Sequence, residues 1–169
     1  NVTIRTIESI EEIGAAAWNA CTAPRPSNDD GIAASTPNGS AESNGGSSYN
    51  PFLTYEFLHA LEKSGCVDPR AGWMPYHLIL EDEAQACLGV MPLYVKGHSR
   101  GEYVFDYSWA NAFQRAGGEY YPKLLCAVPF TPATGPRLLA RQDTDPDRAE
   151  QLMVTLAQGA MEVTRQLGV

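Results

Sequence analysis

Apolar and polar positions along the chain repeat with two different periods, which predict a protein of mixed strands and helices. Residues 2–7 are rich in β-branched side chains that partly alternate with polar ones, as in a first strand. A helix is predicted directly after it, because Ser9 and Glu12 form a capping-box pattern and apolar residues recur at helical spacing as far as Cys21. Pro24 ends that pattern.

The helical pattern resumes at Asn50, a favourable N-cap residue that is followed by Pro51 at the first position of a second predicted helix. Two strands are then predicted, over residues 76–80 and 87–95, and their short acidic connection favours an antiparallel hairpin. Pro92 interrupts the second strand. Because proline cannot donate a hydrogen bond to a strand ladder, it predicts an edge, a bulge or a splayed pair of strands.

The second half of the chain alternates short elements. A turn is predicted over 96–101, followed by a strand over 102–107, a short helix over 109–116, a buried strand over 124–128 and a short strand over 137–139. The final helix begins at Asp145 and Pro146 and carries one apolar face as far as Leu167. A β–α alternation that ends on a helix usually has one more strand to cover that helix, so we expect a truncated protein.

The segment 24–49 differs from the rest in composition, being rich in Ser, Asn, Gly and Pro with Ile32 as its large apolar residue. Such a segment cannot bury enough apolar surface to offset its ordering entropy, which predicts a flexible insertion, with a regulatory segment as the alternative. The predicted organisation is therefore a first strand and helix over 1–23, the insertion over 24–49, and the rest of one lobe over 50–169.

Length and composition narrow the class of protein. The 169 residues fit one domain, and 44% hydrophobic with 19% charged residues is ordinary for a globular protein. The net charge of -8 argues against a nucleic-acid-binding surface, which needs clustered Lys and Arg. No apolar run approaches the roughly 20 residues that cross a bilayer.

The four cysteines are widely spaced and form no C-x-x-C pair, which argues against a zinc site or a disulfide framework. They favour a reduced, cytoplasmic compartment. A leader peptide removed before Asn1 would instead place the protein in an organelle such as a plastid. Three scattered histidines give no metal-ligand spacing, and the sequence has no G-x-S-x-G elbow, P-loop or H-E-x-x-H motif, which disfavours a hydrolase triad or a metalloenzyme.

The most informative stretch is 103–137, which holds half of the aromatic residues of the chain together with prolines, carboxylates and cations. Aromatic walls with a few fixed polar groups are typical of a concave small-molecule site. The alternative is a large aromatic core segment that crosses a proline-rich loop.

Three residues of this stretch are candidate catalytic groups. Asp106 and Glu119 are the carboxylates best placed to act as acid or base, because a carboxylate among aromatic rings loses hydration and its pKa rises. Tyr103 is a candidate proton or hydrogen-bond donor. A structural role for Asp106, bonded to loop amides, and a packing role for the tyrosine are the alternatives.

The candidate substrate-binding residues are aromatic rings, two cations and a proline-bounded loop over 129–136 that is able to present backbone donors at strand ends. Lys123 and Arg137 are able to bind a phosphate or a carboxylate, with simple solvation as the alternative. The predicted set is Tyr107, Trp109, Tyr120, Tyr121, Lys123, Phe130, Thr131, Thr134, Gly135 and Arg137.

The residues RAGGEY at 115–120 partly resemble the R-x-x-G-x-G/A loop with which GNAT-type acetyltransferases hold the pyrophosphate of coenzyme A. In that loop, successive backbone N–H groups form an anion nest before a helix. Arg115, Gly117 and Gly118 are therefore candidate cofactor-binding residues. The motif departs from the pattern at Tyr120, and a helix C-cap is the alternative.

Taken together, NPFLTYEFLHALEKSGCV at 50–67, GWMPYHLILED at 72–82 and the continuous block 89–139 resemble the FemAB-like family of predicted N-acyltransferases. This family is also described as a peptidoglycan biosynthesis or recognition family. The resemblance covers residues 50–139 closely and residues 2–21 loosely. Two features depart from the family pattern, namely the insertion at 24–49 and the acidic charge, which fits poorly with tRNA as a donor.

The resemblance implies an α+β fold of the acyl-CoA N-acyltransferase (GNAT-like) type, with a mixed sheet and helices on both faces. It implies transfer of an acyl or aminoacyl group to an amine, with acyl-CoA or aminoacyl-tRNA as donor substrate and no bound cofactor. Because better characterised relatives have two such lobes, it also implies a missing C-terminal lobe as partner.

Two functions of different classes follow. The first is an acyltransferase lobe in which Asp106 or Glu119 deprotonates the amine and loop amides near 131–135 polarise the acyl carbonyl. The second is a noncatalytic recognition module that binds a peptide or a cell-wall precursor in the same cleft. A lobe with a purely structural role is a third alternative.

Overall fold

The computed structural model describes residues 1–22, 49–102 and 105–169. The helices in these residues are α1 (Ala15–Asn19), α2 (Tyr55–Lys63), α3 (Tyr107–Arg115) and α4 (Pro146–Leu167). The strands are β1 (Val2–Ile7), β2 (Trp73–Pro75), β3 (His77–Asp82), β4 (Cys87–Met91), β5 (Tyr94–Lys96), β6 (Lys123–Leu125) and β7 (Leu139–Ala140). The predicted α+β class is confirmed.

The strands form two antiparallel sheets instead of the single mixed sheet that the resemblance implies. The first sheet has the order β1-β3-β4-β7 and the second the order β2-β5-β6. The break between the sheets lies at Pro92, between β4 and β5. Because proline has no N–H to donate, β4 cannot continue in the first ladder and the chain passes to the second sheet, as a splayed strand pair requires.

Helices pack on both faces of the first sheet. Leu78 and Leu80 of β3 face α4 and belong to a core with Leu152 and Leu156, whereas Ile79 faces the other side. Alternate residues of a strand point to opposite faces, so β3 contributes to two cores at once. The second core is made mainly by the N-terminal region and α2.

Trp18 and Leu58 anchor this second core and are both fully buried. The indole nitrogen of Trp18 donates to the carbonyl of Leu53 over 2.8 Å, which joins α1 to the turn before α2. The N-caps predicted at Ser9, Asn50 and Asp145 are confirmed, although Asn50 caps a 3₁₀ turn (Pro51–Leu53) that precedes α2.

Some predicted boundaries are wrong. The first predicted helix is a 3₁₀ turn (Ile10–Glu12) followed by α1, and the two are separated at Gly14, whose φ of 77° breaks the helix. The strand predicted over 102–107 is also wrong, since Phe105 and Asp106 are not in a strand and Tyr107 begins α3. The predicted insertion over 24–49 lies, apart from Tyr49, outside the described residues.

Glu62 of α2 is a partly buried hydrogen-bond centre. Its carboxylate accepts bonds from the Ser9 hydroxyl at 2.9 Å, from the Ile10 N–H at 3.1 Å and from the His77 ring nitrogen Nε2 at 3.3 Å. The Leu93 N–H donates to Nδ1 of that ring, so Nε2 is the nitrogen that carries the proton. These bonds tie the N-terminal segment, α2, β3 and the connection between the two sheets together.

We expect Glu62→Ala to lower the free energy of unfolding by about 3 kcal/mol, because it leaves several buried donors without an acceptor. The matched control is Glu56→Ala on the same helix, whose exposed bonds to Asn19 are expected to contribute about 1 kcal/mol or less. Urea unfolding of both variants measures the difference. Equal losses would contradict a special role for Glu62.

Candidate active site

The second sheet carries a row of three neighbouring side chains, Trp73, Lys96 and Lys123. Trp73 lies opposite Lys96 in the β2–β5 pair, and Lys96 lies opposite Lys123 in the β5–β6 pair. Directly opposite residues of antiparallel strands point to the same face. The row therefore places two cations and an indole side by side on one face of the sheet.

Two carboxylates from the connection between β5 and α3 pair with this row. The Lys123 ammonium contacts Asp106 Oδ2 and, at 3.2 Å, Glu102 Oε2. The Tyr121 hydroxyl donates to Asp106 Oδ1 over 2.7 Å. The side chains of Glu102 and Asp106 are only 9% and 12% exposed, so a single lysine bridges two carboxylates that are largely removed from water.

The two carboxylates differ in their electrostatics. Partial burial acts to raise the pKa of Asp106, but the hydrogen bonds from Lys123 and Tyr121 outweigh it, so this pKa lies below its usual value. Burial raises the pKa of Glu102, and the bond from Lys123 offsets this effect only in part. Asp106 is therefore held as the anion, whereas Glu102 is the better proton acceptor at neutral pH.

Lys96 is fully buried under this cluster. Its ammonium lies 3.8 Å from the centre of the Trp73 ring and donates to the carbonyl of Arg100 over 2.8 Å. Desolvation lowers the pKa of Lys96 to about 8. The nearby charge of Lys123 also lowers this pKa, whereas the carboxylates of Glu102 and Asp106 raise it.

This pKa predicts a pH-dependent stability. Between about pH 8 and 10.5 the unfolded chain still binds a proton at Lys96 that the folded chain has released, so the folded state becomes more stable as the pH rises. We expect the free energy of unfolding of the wild type to increase relative to Lys96→Met by about 2 kcal/mol between pH 7 and pH 10. Urea unfolding of both proteins at both pH values tests this. An unchanged difference would show that Lys96 titrates normally.

A small cavity of about 270 Å³ adjoins the cluster. Trp73 and Glu102 line this cavity. Thr131 and Arg137, two of the predicted substrate-binding residues, line it as well. Most of the remaining wall is apolar. The indole nitrogen of Trp73 and Oε1 of Glu102 are buried without a hydrogen-bond partner among the described residues.

A larger open cavity of about 1210 Å³ lies beside the small one and shares Thr131, Pro132 and Ala133 with it. The carbonyls of the loop are bonded internally, since the Arg137 guanidinium binds those of Ala133, Gly135 and Pro136. Within the described part of the chain, the N–H groups of residues 131, 133, 134 and 135 donate to no other group. The loop thus has free backbone donors.

Thr134 and Gly135 line the larger cavity. The Thr134 carbonyl accepts a hydrogen bond from the Asn50 side-chain amide over 2.8 Å, which fixes the loop to the residue that caps the 3₁₀ turn before α2. Arg137, predicted to bind an anion, has a structural role here, because its guanidinium is used to hold the loop.

The predicted aromatic residues divide into two groups. Tyr120 and Tyr121 are partly buried, pack edge to face and lie about 5 Å from the Lys123 ammonium. Tyr107 and Trp109 lie on α3 and are 53% and 74% exposed. Phe105, just before α3, stacks on Tyr107, whereas Trp109 and Phe113 lie one helical turn apart on α3, and all four rings are exposed.

Phe130 has an unusual conformation. Its φ is 59°, in the left-handed region that β-carbon sterics disfavour, and its N–H donates to the Gly101 carbonyl over 3.2 Å. Its ring is 47% exposed and lies 5.5 Å from the Trp73 ring. The predicted substrate-binding residue Phe130 therefore covers the indole of the cluster.

The remaining predicted residues lie outside the cluster. Glu119 is exposed and has no partner among the described residues, and Tyr103 is outside them. Gly117 and Gly118 end α3, where their N–H groups donate to the carbonyls of Gln114 and Phe113. These bonds form a Schellman motif, so the donors are used by the helix and the structure brings neither them nor Arg115 to the cluster.

Sequence reasoning missed Glu102, Lys96 and Trp73. A signal for Lys96 existed, because it lies two residues after Tyr94 and so shares a strand face with a buried aromatic residue. Glu102 carried no comparable signal, since it follows a glycine-rich turn and resembles a solvated residue.

Comparison with known proteins gives the family of this chain. A family model described as FemAB-like, peptidoglycan biosynthesis/recognition, matches residues 9–169. No curated protein and no solved structure matches this chain. Among the described residues, no helix is long and apolar enough to cross a membrane. Because the match covers nearly the whole chain, including every residue of the cluster, this protein belongs to the FemAB-like family of peptidoglycan biosynthesis/recognition proteins.

Proposed function

We propose that the chain is a lobe of an N-acyltransferase of the GNAT-like type, which transfers an acyl or aminoacyl group to an amine. The observation that carries this proposal is the state of Glu102. One carboxylate oxygen is bonded to Lys123, the other is buried without a partner, and the residue forms part of a cavity wall. A desolvated carboxylate with a raised pKa and a free lone pair is a suitable general base.

In the proposed reaction the amine nitrogen forms a bond to the acyl carbon. The bond from that carbon to the leaving group breaks, and its electron pair goes to the leaving group. The proton lost by the nitrogen passes to Oε1 of Glu102 and from there to the leaving group, so Glu102 is unchanged after one turnover.

The other members of the cluster position this base. The Lys123 ammonium donates to Oε2 of Glu102, which leaves the other carboxylate oxygen, Oε1, free to accept a proton. Asp106 holds Lys123, and the Tyr121 hydroxyl holds Asp106. The candidate base is therefore Glu102, with Asp106 as a positioning residue and not the base itself.

The larger cavity is the proposed site for the acyl donor. It shares Thr131, Pro132 and Ala133 with the smaller cavity, and its free backbone N–H groups are suited to bind polar atoms of a donor. Acyl-CoA and aminoacyl-tRNA are the two donor classes to test. The net charge of -8 favours the smaller donor, because tRNA binding requires clustered cations.

A noncatalytic recognition module remains the second candidate, and one observation favours it. Four rings at and beside α3 are exposed, namely the stacked pair Phe105 and Tyr107 and the pair Trp109 and Phe113 one turn apart, of which Trp109 is 74% exposed. Exposed aromatic patches of this kind mark interaction sites, and they do not require catalysis.

Thermal unfolding with acetyl-CoA, free CoA and ATP distinguishes the two candidates. We expect the melting temperature to rise saturably with acetyl-CoA and free CoA, by about 5 °C or more at roughly 100 times the dissociation constant. ATP is the control for nonspecific binding of a phosphorylated nucleotide. If neither a CoA compound nor an aminoacyl-tRNA stabilises the protein, the donor site does not exist and the recognition module is favoured.

A further inference from the structure

Trp73 Nε1 and Glu102 Oε1 are the two side-chain polar atoms that are buried and unpartnered in the described part of the chain. One is an obligate donor and the other, in a carboxylate, an acceptor. Both residues belong to the wall of the same small cavity. A buried polar atom without a partner destabilises the fold by about 1–3 kcal/mol, so two in one cavity call for an explanation.

The pair is maintained by its surroundings. Oε2 of Glu102 is held by Lys123, and the Trp73 ring is held over the Lys96 ammonium at 3.8 Å, so neither side chain turns freely toward another partner. Gly101 lies against the indole, since a Cβ at this position would be 2.6 Å from Nε1. The cavity wall therefore includes one residue with an unused donor and one with an unused acceptor, and the rest of the wall is largely apolar.

We propose that this cavity binds an amide group, whose carbonyl oxygen accepts from the Trp73 indole N–H and whose N–H donates to Oε1 of Glu102. An amide carries one acceptor and one donor on adjacent atoms, which is the complement of this pair. The volume of about 270 Å³ exceeds several-fold the roughly 30 Å³ that a water molecule occupies in the liquid.

Access to the pair requires a movement of Phe130. The two polar atoms are covered by neighbouring groups, and the Phe130 ring, at 5.5 Å from Trp73, is part of that cover. This ring is 47% exposed, and both it and the indole nitrogen lie close to Gly101, so it is the covering side chain with solvent on its other side. An amide ligand displaces this ring from the indole.

The proposal rests on the proposed function in one respect, namely that an amide is the product of N-acyl transfer. The product then lies where Glu102 has just released the proton of the amine. Amide binding is nevertheless a property that can be measured without any donor or any turnover.

The chain has three tryptophans, and their indole N–H groups have three different environments. Trp18 is bonded to Leu53, Trp109 is exposed and Trp73 is buried without a partner. A ¹H–¹⁵N correlation spectrum of the whole chain therefore shows three indole signals, and Trp73→Phe identifies the signal of Trp73. Titration with N-methylacetamide is expected to move this signal downfield and to saturate, with the Trp18 signal unchanged as internal control.

Two matched probes and two variants test the geometry. N,N-dimethylacetamide has no N–H for Glu102, so we expect it to bind about 10-fold more weakly. Phe130→Ala removes the covering ring and is expected to strengthen binding of N-methylacetamide. Ala127→Leu fills the cavity from its apolar wall and is expected to abolish the shift.

The proposal is overturned if the Trp73 signal does not move, if both amides bind equally, or if the shift persists in Ala127→Leu. Amide binding without transfer from any donor would leave the cavity as a recognition site and remove the proposed reaction. Transfer without amide binding would remove this inference and leave the reaction.

Discussion

Lys123→Met is expected to destabilise the protein by about 3–5 kcal/mol and to abolish transfer. The substitution leaves the carboxylates of Asp106 and Glu102 without their cation, and both are at least 88% removed from solvent. Because an unpaired buried carboxylate is protonated more readily, the folded variant binds more protons than the unfolded chain near pH 5. The deficit relative to the wild type should therefore shrink as the pH falls from 7 to 5.

Urea unfolding at both pH values measures this effect. Lys63→Met is the matched control, since Lys63 is exposed at the end of α2, and its loss should be within about 0.5 kcal/mol. A Lys123→Met protein as stable as the control, or a deficit that grows at low pH, would mean that the carboxylates are solvated and that the cluster is not a buried site.

Glu102→Gln is expected to lower kcat by about 10²–10⁴-fold while it leaves the fold intact. Glutamine has nearly the same shape and keeps an oxygen for Lys123, but it cannot take a proton from the amine. Because the Lys123–Asp106 pair remains, the melting temperature should change little. Transfer rates of both proteins, measured with saturating amine and a fixed concentration of acyl donor, give the ratio of their kcat values.

Glu119→Gln is the informative comparison, because Glu119 is one of the two candidate bases predicted from the sequence, whereas we propose Glu102. Glu119 is exposed and away from the cluster, so its amide variant should retain activity within about twofold of the wild type, as for a surface change. Loss of activity in this variant with normal activity in Glu102→Gln would return the role of base to Glu119.

The elements that sequence reasoning predicted well depend on local rules. Ser9, Asn50 and Asp145 act within a few residues of their own position, and their capping bonds are present. Pro92 separates the sheets for an equally local reason, the absence of an N–H. Such signals require no knowledge of the rest of the fold.

The site depends on contacts between distant residues. Lys96 and Lys123 become neighbours only through the register of β5 and β6, and 27 positions of sequence separate them. From the sequence, Lys96 is predicted at the start of a turn, and Lys123 is predicted to bind an anion or to be solvated. Residue-type preferences describe only an average environment, so they do not show that the two lysines are neighbours. The low hydration of Glu102 is likewise a consequence of packing that no spacing of residues encodes.

The exposed rings explain the incorrect strand over 102–107. Alternation of Phe105 and Tyr107 with polar residues resembles a strand with one buried face. In the structure these two rings stack on each other at 5.6 Å and remain 64% and 53% exposed. The periodicity therefore reflects a surface, which is consistent with a site for an interacting molecule more than with a core.

The most direct test of the central claim, N-acyl transfer with Glu102 as base, is the mass of the product. Wild type and Glu102→Gln are incubated with acetyl-CoA or an aminoacyl-tRNA and with acceptors that carry a free amine, including a peptide. We expect an amide product, heavier than the acceptor by the transferred group, that forms with the wild type and at least 100-fold more slowly with the variant. Product formation at equal rates, or no product from any donor with the wild type, would contradict this claim.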